Sequence, residues 1–277
     1  MIGIGEGRCD LRIDRLVVIT FCRKPELFYG TSLVFATLRV GFPNAHVTVV
    51  DNGSIAWAVP RIKELAETVS GEFLHLEELP HAEIIKELIL KQRHPFVILD
   101  PDIVFWDRMD GCDDALLSGR LIPEFADPYT GCLTHPRLHT SFLKINDPKA
   151  LQDIYRTTRT EKFEWEPFHP LMYETPSGWR RYDTLASFYA SIRDRCHAFT
   201  DDELDSYDHL FCGSHMDVVI PRLGFAKPEV LLWMLDIHNR VKGGDTNALR
   251  GAWKEQDRFF ALHSGDLTKG VRAARSV

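Results

Sequence analysis

No run of apolar residues in the 277 approaches the roughly 20 that a membrane-crossing helix needs. The opening stretch, Met1 to Asp14, is Gly-rich and charged and lacks the apolar middle of a secretory signal, so a cytoplasmic location is expected. Cysteine occurs at six scattered positions, but no pair has Cys-x-x-Cys spacing. That disfavours a zinc site of this kind and leaves reduced, mostly buried thiols as the expectation. Positive charge is not in excess either. The formal net charge is −7, which disfavours a protein that coats nucleic acid, and the only dense basic spots are Arg180-Arg181 and the tail from Lys269 to Arg275. No Gly-x-Gly-x-x-Gly follows the first apolar run, which argues against a nicotinamide dinucleotide, and no Gly-x-x-x-x-Gly-Lys-Ser/Thr loop is present to cradle phosphates. Internal repeats and low-complexity segments are absent as well.

What is present alternates between two periods. Leu16 to Phe21 is a continuous apolar strand, and Glu26 to Val40 carries apolar residues at helical spacing until Pro43 breaks it. His46 to Val50 predicts a second strand ending in the turn Asp51-Asn52-Gly53-Ser54. Pro60 to Val69 predicts a helix with Gly71 just beyond its end, Phe73 to Leu76 a third strand, and His81 to Lys91 another helix. Phe96 to Leu99 then reads as a buried strand that stops at Asp100-Pro101-Asp102, and a second apolar run, Ile103 to Trp106, follows. Strands alternating with helices imply βαβ units, hence an α/β fold with a mainly parallel central sheet. Further on, Arg120 to Glu124 and Thr140 to Ile145 read as strands, and Asp147-Pro148 opens a helix. Residues 163–182 are aromatic without a clear period and read as a loop over a pocket, while Asp183 to Ala198 predicts a helix with Asp183 as its N-cap.

The chemistry centres on Asp100 and Asp102. Two carboxylates two residues apart, at the carboxyl end of a buried strand, lie on the sheet edge where open α/β folds bind ligands. They repel each other unless a cation joins them, so a divalent metal is one reading; a plain Asp-Pro-Asp turn is the other. Asp51 ends the second strand, where an acid can accept hydrogen bonds from a ribose or a base, and Thr20 ends the first. With no glycine-rich loop, a diphosphate needs another source of positive charge, which a metal on Asp100 and Asp102 would supply. His263 follows the apolar run Phe259 to Leu262 and could complete the metal shell, and Lys269, six residues on, could neutralise phosphate.

These features together resemble nucleotide-sugar glycosyltransferases of the GT-A fold. Asp100-Pro101-Asp102 looks like their metal-binding Asp-x-Asp. Thr140 to Asn146 looks like the strand that follows it in glycogenin-like enzymes, and His263-Ser264-Gly265 with Lys269 is similar to their closing His-x-Gly-x-x-Lys, although Lys269 lies one residue further along and Gly270 replaces the expected Pro-Trp. The resemblance implies a single GT-A (Rossmann-like) domain over 1–277, with a nucleotide-binding half (1–107) and an acceptor-binding half (108–277). It implies metal-dependent transfer of a sugar from a nucleoside-diphosphate sugar to an acceptor hydroxyl, with Mn2+ or Mg2+ as cofactor. The metal ligands would be Asp100, Asp102 and His263. The donor would contact Thr20, Asp51, Asn52, Asp100 and Lys269, and Asp183 would be the active-site acid. A UDP-sugar is the favoured donor, although Asp51 would serve uridine or guanosine alike, and the acceptor is open. Asp208, His209, His215 and Asp217 could line the acceptor side, and Trp165, Phe168, Tyr173 and Trp179 could stack on a ring.

Three other readings compete. Ile98 to Val104 formally matches the Asp-x-Asp-x-Val of haloacid-dehalogenase-like phosphatases, with Asp100 as nucleophile, but that motif belongs on a first strand and no late acid pair follows. A nucleotidyltransferase is the second, but it calls for a Gly-rich, basic phosphate loop after the first strand, and Arg23-Lys24-Pro25 is a poor version of one. A non-catalytic sugar-binding or scaffold relative is the third.

Overall fold

Residues 12–126, 132–161, 165–213, 216–217 and 228–258 are described by a computed structural model. Strand β1 (Arg15–Thr20) pairs in parallel with β2 (His46–Asn52) on one side and β4 (Phe96–Leu99) on the other, and β2 pairs in parallel with β3 (Glu72–Leu76). The order β3-β2-β1-β4 is that of a nucleotide-binding half-fold. Beyond β4 the sheet continues through β9 (Arg137–Ile145) and β6 (Leu117–Ile122) to β12 (Cys196–Ala198), giving seven strands in all. Only β9 runs against the others. The expected α/β class with a mainly parallel sheet is what the chain adopts.

The apolar runs have no polar alternation because both faces of the sheet are covered. Val18, Val97 and Leu99 point into a core with Leu38, Phe42, Ile62 and Ala66. Val17, Ile19, Phe96 and Ile98 point the other way, towards Ile84, Ile85 and Ile89 of α4 (His81–Lys91), Leu151 of α5 (Pro148–Glu161) and Phe188 of α6 (Ala186–Ile192). Each of the four β4 side chains is fully buried, which is worth about 1.5–3 kcal/mol apiece. That rigid strand fixes where Asp100 begins.

Three expectations need correction. The helix expected over Glu26 to Val40 is broken into α1 (Phe28–Ser32), α2 (Leu38–Gly41) and 3-10 turns. Its backbone bonds outward instead: the Val34 N–H donates to the Pro101 carbonyl at 2.8 Å, and the Thr37 hydroxyl accepts from the Phe105 N–H at 3.0 Å. The helix gives up its own ladder to hold the Asp100–Asp102 turn. The helix expected over Asp183 to Ala198 stops at Ile192, because Cys196, His197 and Ala198 pair with Leu117, Ser118 and Gly119 at the sheet edge. Sheet pairing overrides helical propensity there. The aromatic stretch is no loop either. It holds a hairpin of β10 (Leu171–Thr175) and β11 (Gly178–Tyr182), which joins β8 (Leu133–Thr134) and β7 (Phe125–Ala126) in a second sheet.

Candidate active site

Past Leu99 the chain turns, and backbone hydrogen bonds from three other segments hold the turn. The Asp100 N–H donates to the Ser141 carbonyl at 2.7 Å, and the Asp102 carbonyl accepts from the Leu210 N–H at 2.7 Å. The chain then enters β5 (Ile103–Phe105), which pairs antiparallel with β13 (Tyr207–His209) so that Ile103 lies opposite His209. This short ladder brings His209 to the acid pair. His209 Nε2 stands 3.2 Å from Asp102 Oδ1, and both side chains are almost fully buried. One ligand atom from each of Asp100, Asp102 and His209 lies within 4.8 Å of the others.

The electrostatics of the trio are unfavourable without a cation. Burial, then the neighbouring Asp102 charge, pushes the Asp100 carboxyl far above the usual carboxylate range, against the opposing pull of His209. Asp102 Oδ2 accepts from the Gly213 N–H at 3.0 Å, and Oδ1, also buried, faces His209 Nε2. Two acids and an imidazole, one ligand atom from each, form a donor set for a divalent ion. The 3.2 Å gap suits neighbouring ligands of a six-coordinate cation, whose bonds of about 2.1 Å place them ~3 Å apart. The residues present therefore fit a metal.

The cleft over this trio has a volume of about 340 Å³. Asn52, Leu79, Pro80, His81, His139 and Phe211 are among its walls. His139, on β9, accepts the Ser141 N–H at its Nδ1 (3.2 Å), so the neutral ring carries its proton on Nε2. Burial, followed by the charges of His209 and Arg137, keeps its pKa well below the ordinary imidazole value.

The other sequence-predicted residues fall into three groups. Asn52 reaches the cleft, with its amide bonded both ways to the Leu79 backbone at 2.9 Å. Thr20 and Asp51 are fully buried and do not line it; the Asp51 carboxylate accepts from Thr20 and Ser54 and pairs with His75 at 2.7 Å. Asp183 is half-buried beside Arg137 (2.7 Å) and Arg181 (3.2 Å). Burial alone would raise its pKa, but those guanidiniums, Arg137 foremost, hold it below the usual range. It does not cap α6, whose N-cap is Leu185. His263, Lys269 and His215 lie outside the described residues.

Of the acceptor-side candidates, His209 belongs to the acid pair, and Asp208 is a buried anchor that accepts from Trp106 Nε1 (2.7 Å) and the backbone N–H groups of Gly251 (2.8 Å) and Trp253 (3.2 Å). Asp217 pairs with Lys24 at 2.7 Å. Among the aromatics, Phe168 is buried against Phe188 at a ring separation of 4.6 Å, and Tyr173 stacks near His135 and Tyr182. Trp165 and Trp179 are exposed. Sequence reasoning missed His81 and Arg137. Their signals were a histidine at the first position of a helix that enters the cleft, and an arginine on the strand that flanks the Asp-x-Asp.

The fold and site thus define a mixed α/β protein with an Asp-Asp-His cleft at the carboxyl edge of its parallel strands. No protein-family model matches the chain. No curated protein matches its sequence either. Among solved structures it is similar to the glycosyltransferase GlyE of Streptococcus pneumoniae TIGR4, at 8% identity and a TM-score of 0.40, over 79% of this chain but only 52% of that one. The chain therefore spans about half the length of GlyE. It is also similar to a nucleoside-diphosphate-sugar pyrophosphorylase of Vibrio cholerae RC9, at 11% identity and a TM-score of 0.41, over 74% of this chain and 98% of that one. A third is the mannosyltransferase PcManGT of Pyrobaculum calidifontis, solved with GDP-Man and Mn2+, at 13% identity and a TM-score of 0.41, over 95% of this chain and 84% of that one. At such TM-scores these likenesses say nothing of this chain's activity; the side chains must carry that. No described helix is long and apolar enough to cross a membrane.

Proposed function

We propose that the chain is a metal-dependent glycosyltransferase that binds a nucleoside-diphosphate sugar in the Asp100–Asp102 cleft and passes the sugar to an acceptor hydroxyl. The observation that carries this is the convergence of Asp100, Asp102 and His209, one ligand atom from each, at the ligand-binding edge of a β3-β2-β1-β4 sheet. His209 is proposed as a metal ligand beside the two acids; His263 lies outside the described residues. A bound Mn2+ or Mg2+ would supply the charge that binds diphosphate oxygens in the absence of a glycine-rich loop. Residues 1–107 would hold the nucleotide and residues 108–277 the acceptor.

The chain's own groups have separable tasks. Asp100, Asp102 and His209 hold the cation, and Gly213 fixes the Asp102 carboxylate by its N–H. His139 offers an Nε2 proton to the cleft. Asp183, ionised and clamped by two arginines, is a poor proton acceptor and acts as a positioning residue that fixes Arg137. Asn52 pins the Leu79 backbone at the nucleotide end of the cleft. Asp51 and Thr20 brace β1 against β2 from within the sheet.

The test is binding and slow hydrolysis of a panel of nucleoside-diphosphate sugars with and without Mn2+. At least one donor is expected to bind only with metal, and Asp100→Asn is expected to abolish that binding. If no donor binds in either condition, the proposal fails. A covalent phospho-enzyme on Asp100 would instead favour the phosphatase reading.

A further inference from the structure

Beside the acid trio lies a second group of polar atoms that the diphosphate and its metal leave unused. Arg137, two residues before His139 on β9, gives one guanidinium nitrogen, Nη2, to Asp183 at 2.7 Å. Its Nε and Nη1 are buried and have no hydrogen-bond partner among the described residues. Nor has His81 Nε2, which is also buried and stands 4.0 Å from Asp100 Oδ1. His81 is the first residue of the eleven-residue helix α4, whose N-cap, Pro80, makes no side-chain cap bond. Both Pro80 and His81 line the cleft. Arg137 stands two residues from His139 on β9, and His139 and His81 both line the cleft.

Buried donors without acceptors cost stability, and a fold keeps them together where a ligand completes them. The groups here are a guanidinium, an imidazole that can donate from Nε2 and the open end of a helix. Guanidinium and helix N-termini both select oxyanions. Asp183 shares its charge between Arg137 and Arg181, so Arg137 is not fully neutralised.

We infer that Arg137, His81 and the N-terminus of α4 form a subsite for a compact oxyanion on the substrate, a carboxylate or a phosphate, distinct from the diphosphate held by the cation. This rests on the reading that the cleft binds a sugar donor and its acceptor. The oxyanion is either a uronate carboxylate on the transferred sugar or a phosphate on the acceptor.

Calorimetric titration of the full chain tests it, with glucuronate, glucose 1-phosphate and inorganic phosphate against glucose at constant ionic strength. The anions are expected to bind at least about tenfold more tightly than glucose, as a charge-assisted hydrogen bond implies. Arg137→Met should abolish that preference and Arg137→Lys should keep part of it. Should Arg137→Met fail to fold, His81→Phe serves in its place, with partial loss expected. A ratio of anion to neutral sugar is read because a merely structural defect lowers both affinities together. Two further arms, run with Mn2+, identify the source. Preference for a nucleoside-diphosphate hexuronate over the hexose assigns the oxyanion to the donor. Preference for glycerol phosphate over glycerol with nucleoside diphosphate bound assigns it to the acceptor. Equal binding of anionic and neutral ligands in all arms, or an unchanged ratio in Arg137→Met, overturns the inference. Metal-dependent nucleoside diphosphate binding without anion preference would sink this subsite alone. Anion preference without nucleoside diphosphate binding would sink the donor reading instead.

Discussion

Gly213→Ala is expected to weaken Mn2+ binding without altering any proposed ligand. A Cβ at Gly213 would fall 2.7 Å from both Cβ and Oδ2 of Asp102 and 3.2 Å from its Cγ. Contacts below 3 Å do not persist, so either the 210–213 segment or the Asp102 carboxylate must shift. Neither has slack. Asp102 is nearly fully buried, and its carbonyl holds the Leu210 N–H. The shift also stretches or breaks the Gly213 N–H bond to Oδ2, a charge-assisted bond worth about 1.5–3 kcal/mol. Metal sites tolerate ligand displacements of only about 0.2 Å, and loss of an outer-shell partner costs roughly 10–100-fold in affinity. The expectation is thus a fall in Mn2+ affinity of that size. A stability loss of about 1–3 kcal/mol from overpacking should accompany it. Gly111→Ala is the control, since a Cβ there meets no heavy atom within 4 Å. Mn2+ affinity is read by electron paramagnetic resonance titration of folded protein. Unchanged affinity in Gly213→Ala, or an equal fall in Gly111→Ala, would refute the reasoning.

Other perturbations separate the structural acids from the functional ones. Asp51→Asn should destabilise the fold by roughly 2–4 kcal/mol in urea, because its buried carboxylate joins Thr20, Ser54 and His75, yet leave Mn2+ affinity intact; an unchanged urea midpoint would remove its bracing role. Asp183→Asn should lower turnover while sparing Mn2+ binding, and a loss of metal binding would contradict its place outside the trio. Lys144 is buried, and burial lowers its pKa from the usual 10.5. The unfolded chain therefore binds more protons than the folded one between that lowered value and 10.5, so the contribution of Lys144 to stability rises with pH across this window. Lys144→Met should flatten that alkaline limb in urea unfolding, and equal pH slopes in the two proteins would count against it.

Much of the first half of the chain was legible because its code is local. Phe96 to Leu99 is wholly apolar because helices cover both faces, and Asp100 marks the strand end. The turn at Gly53 was also readable: its φ of 78° suits glycine, and a Cβ would meet the Glu78 backbone nitrogen at 2.7 Å. His209 was not legible as a partner of Asp102. It reaches the acids through the pairing of two three-residue strands, and a stretch reading Tyr-Asp-His gives no periodic sign that all three side chains are buried. The broken first helix was hidden for a related reason. Its apolar spacing is helical, but Val34 bonds to Pro101, a contact visible only once β4 is in place. Asp51 shows a different limit: a strand-end acid reads alike whether it faces a ligand or the protein, and its internal partners Thr20 and His75 are visible only in the fold.

The most direct measurement is anomalous scattering from a crystal soaked with Mn2+ and a nucleoside diphosphate. A single manganese peak is expected among Asp100, Asp102 and His209, with the diphosphate on the same ion and the peak lost in His209→Ala. A peak elsewhere, or a diphosphate bound in the cleft with no metal between it and the acids, would contradict the metal-anchored donor site.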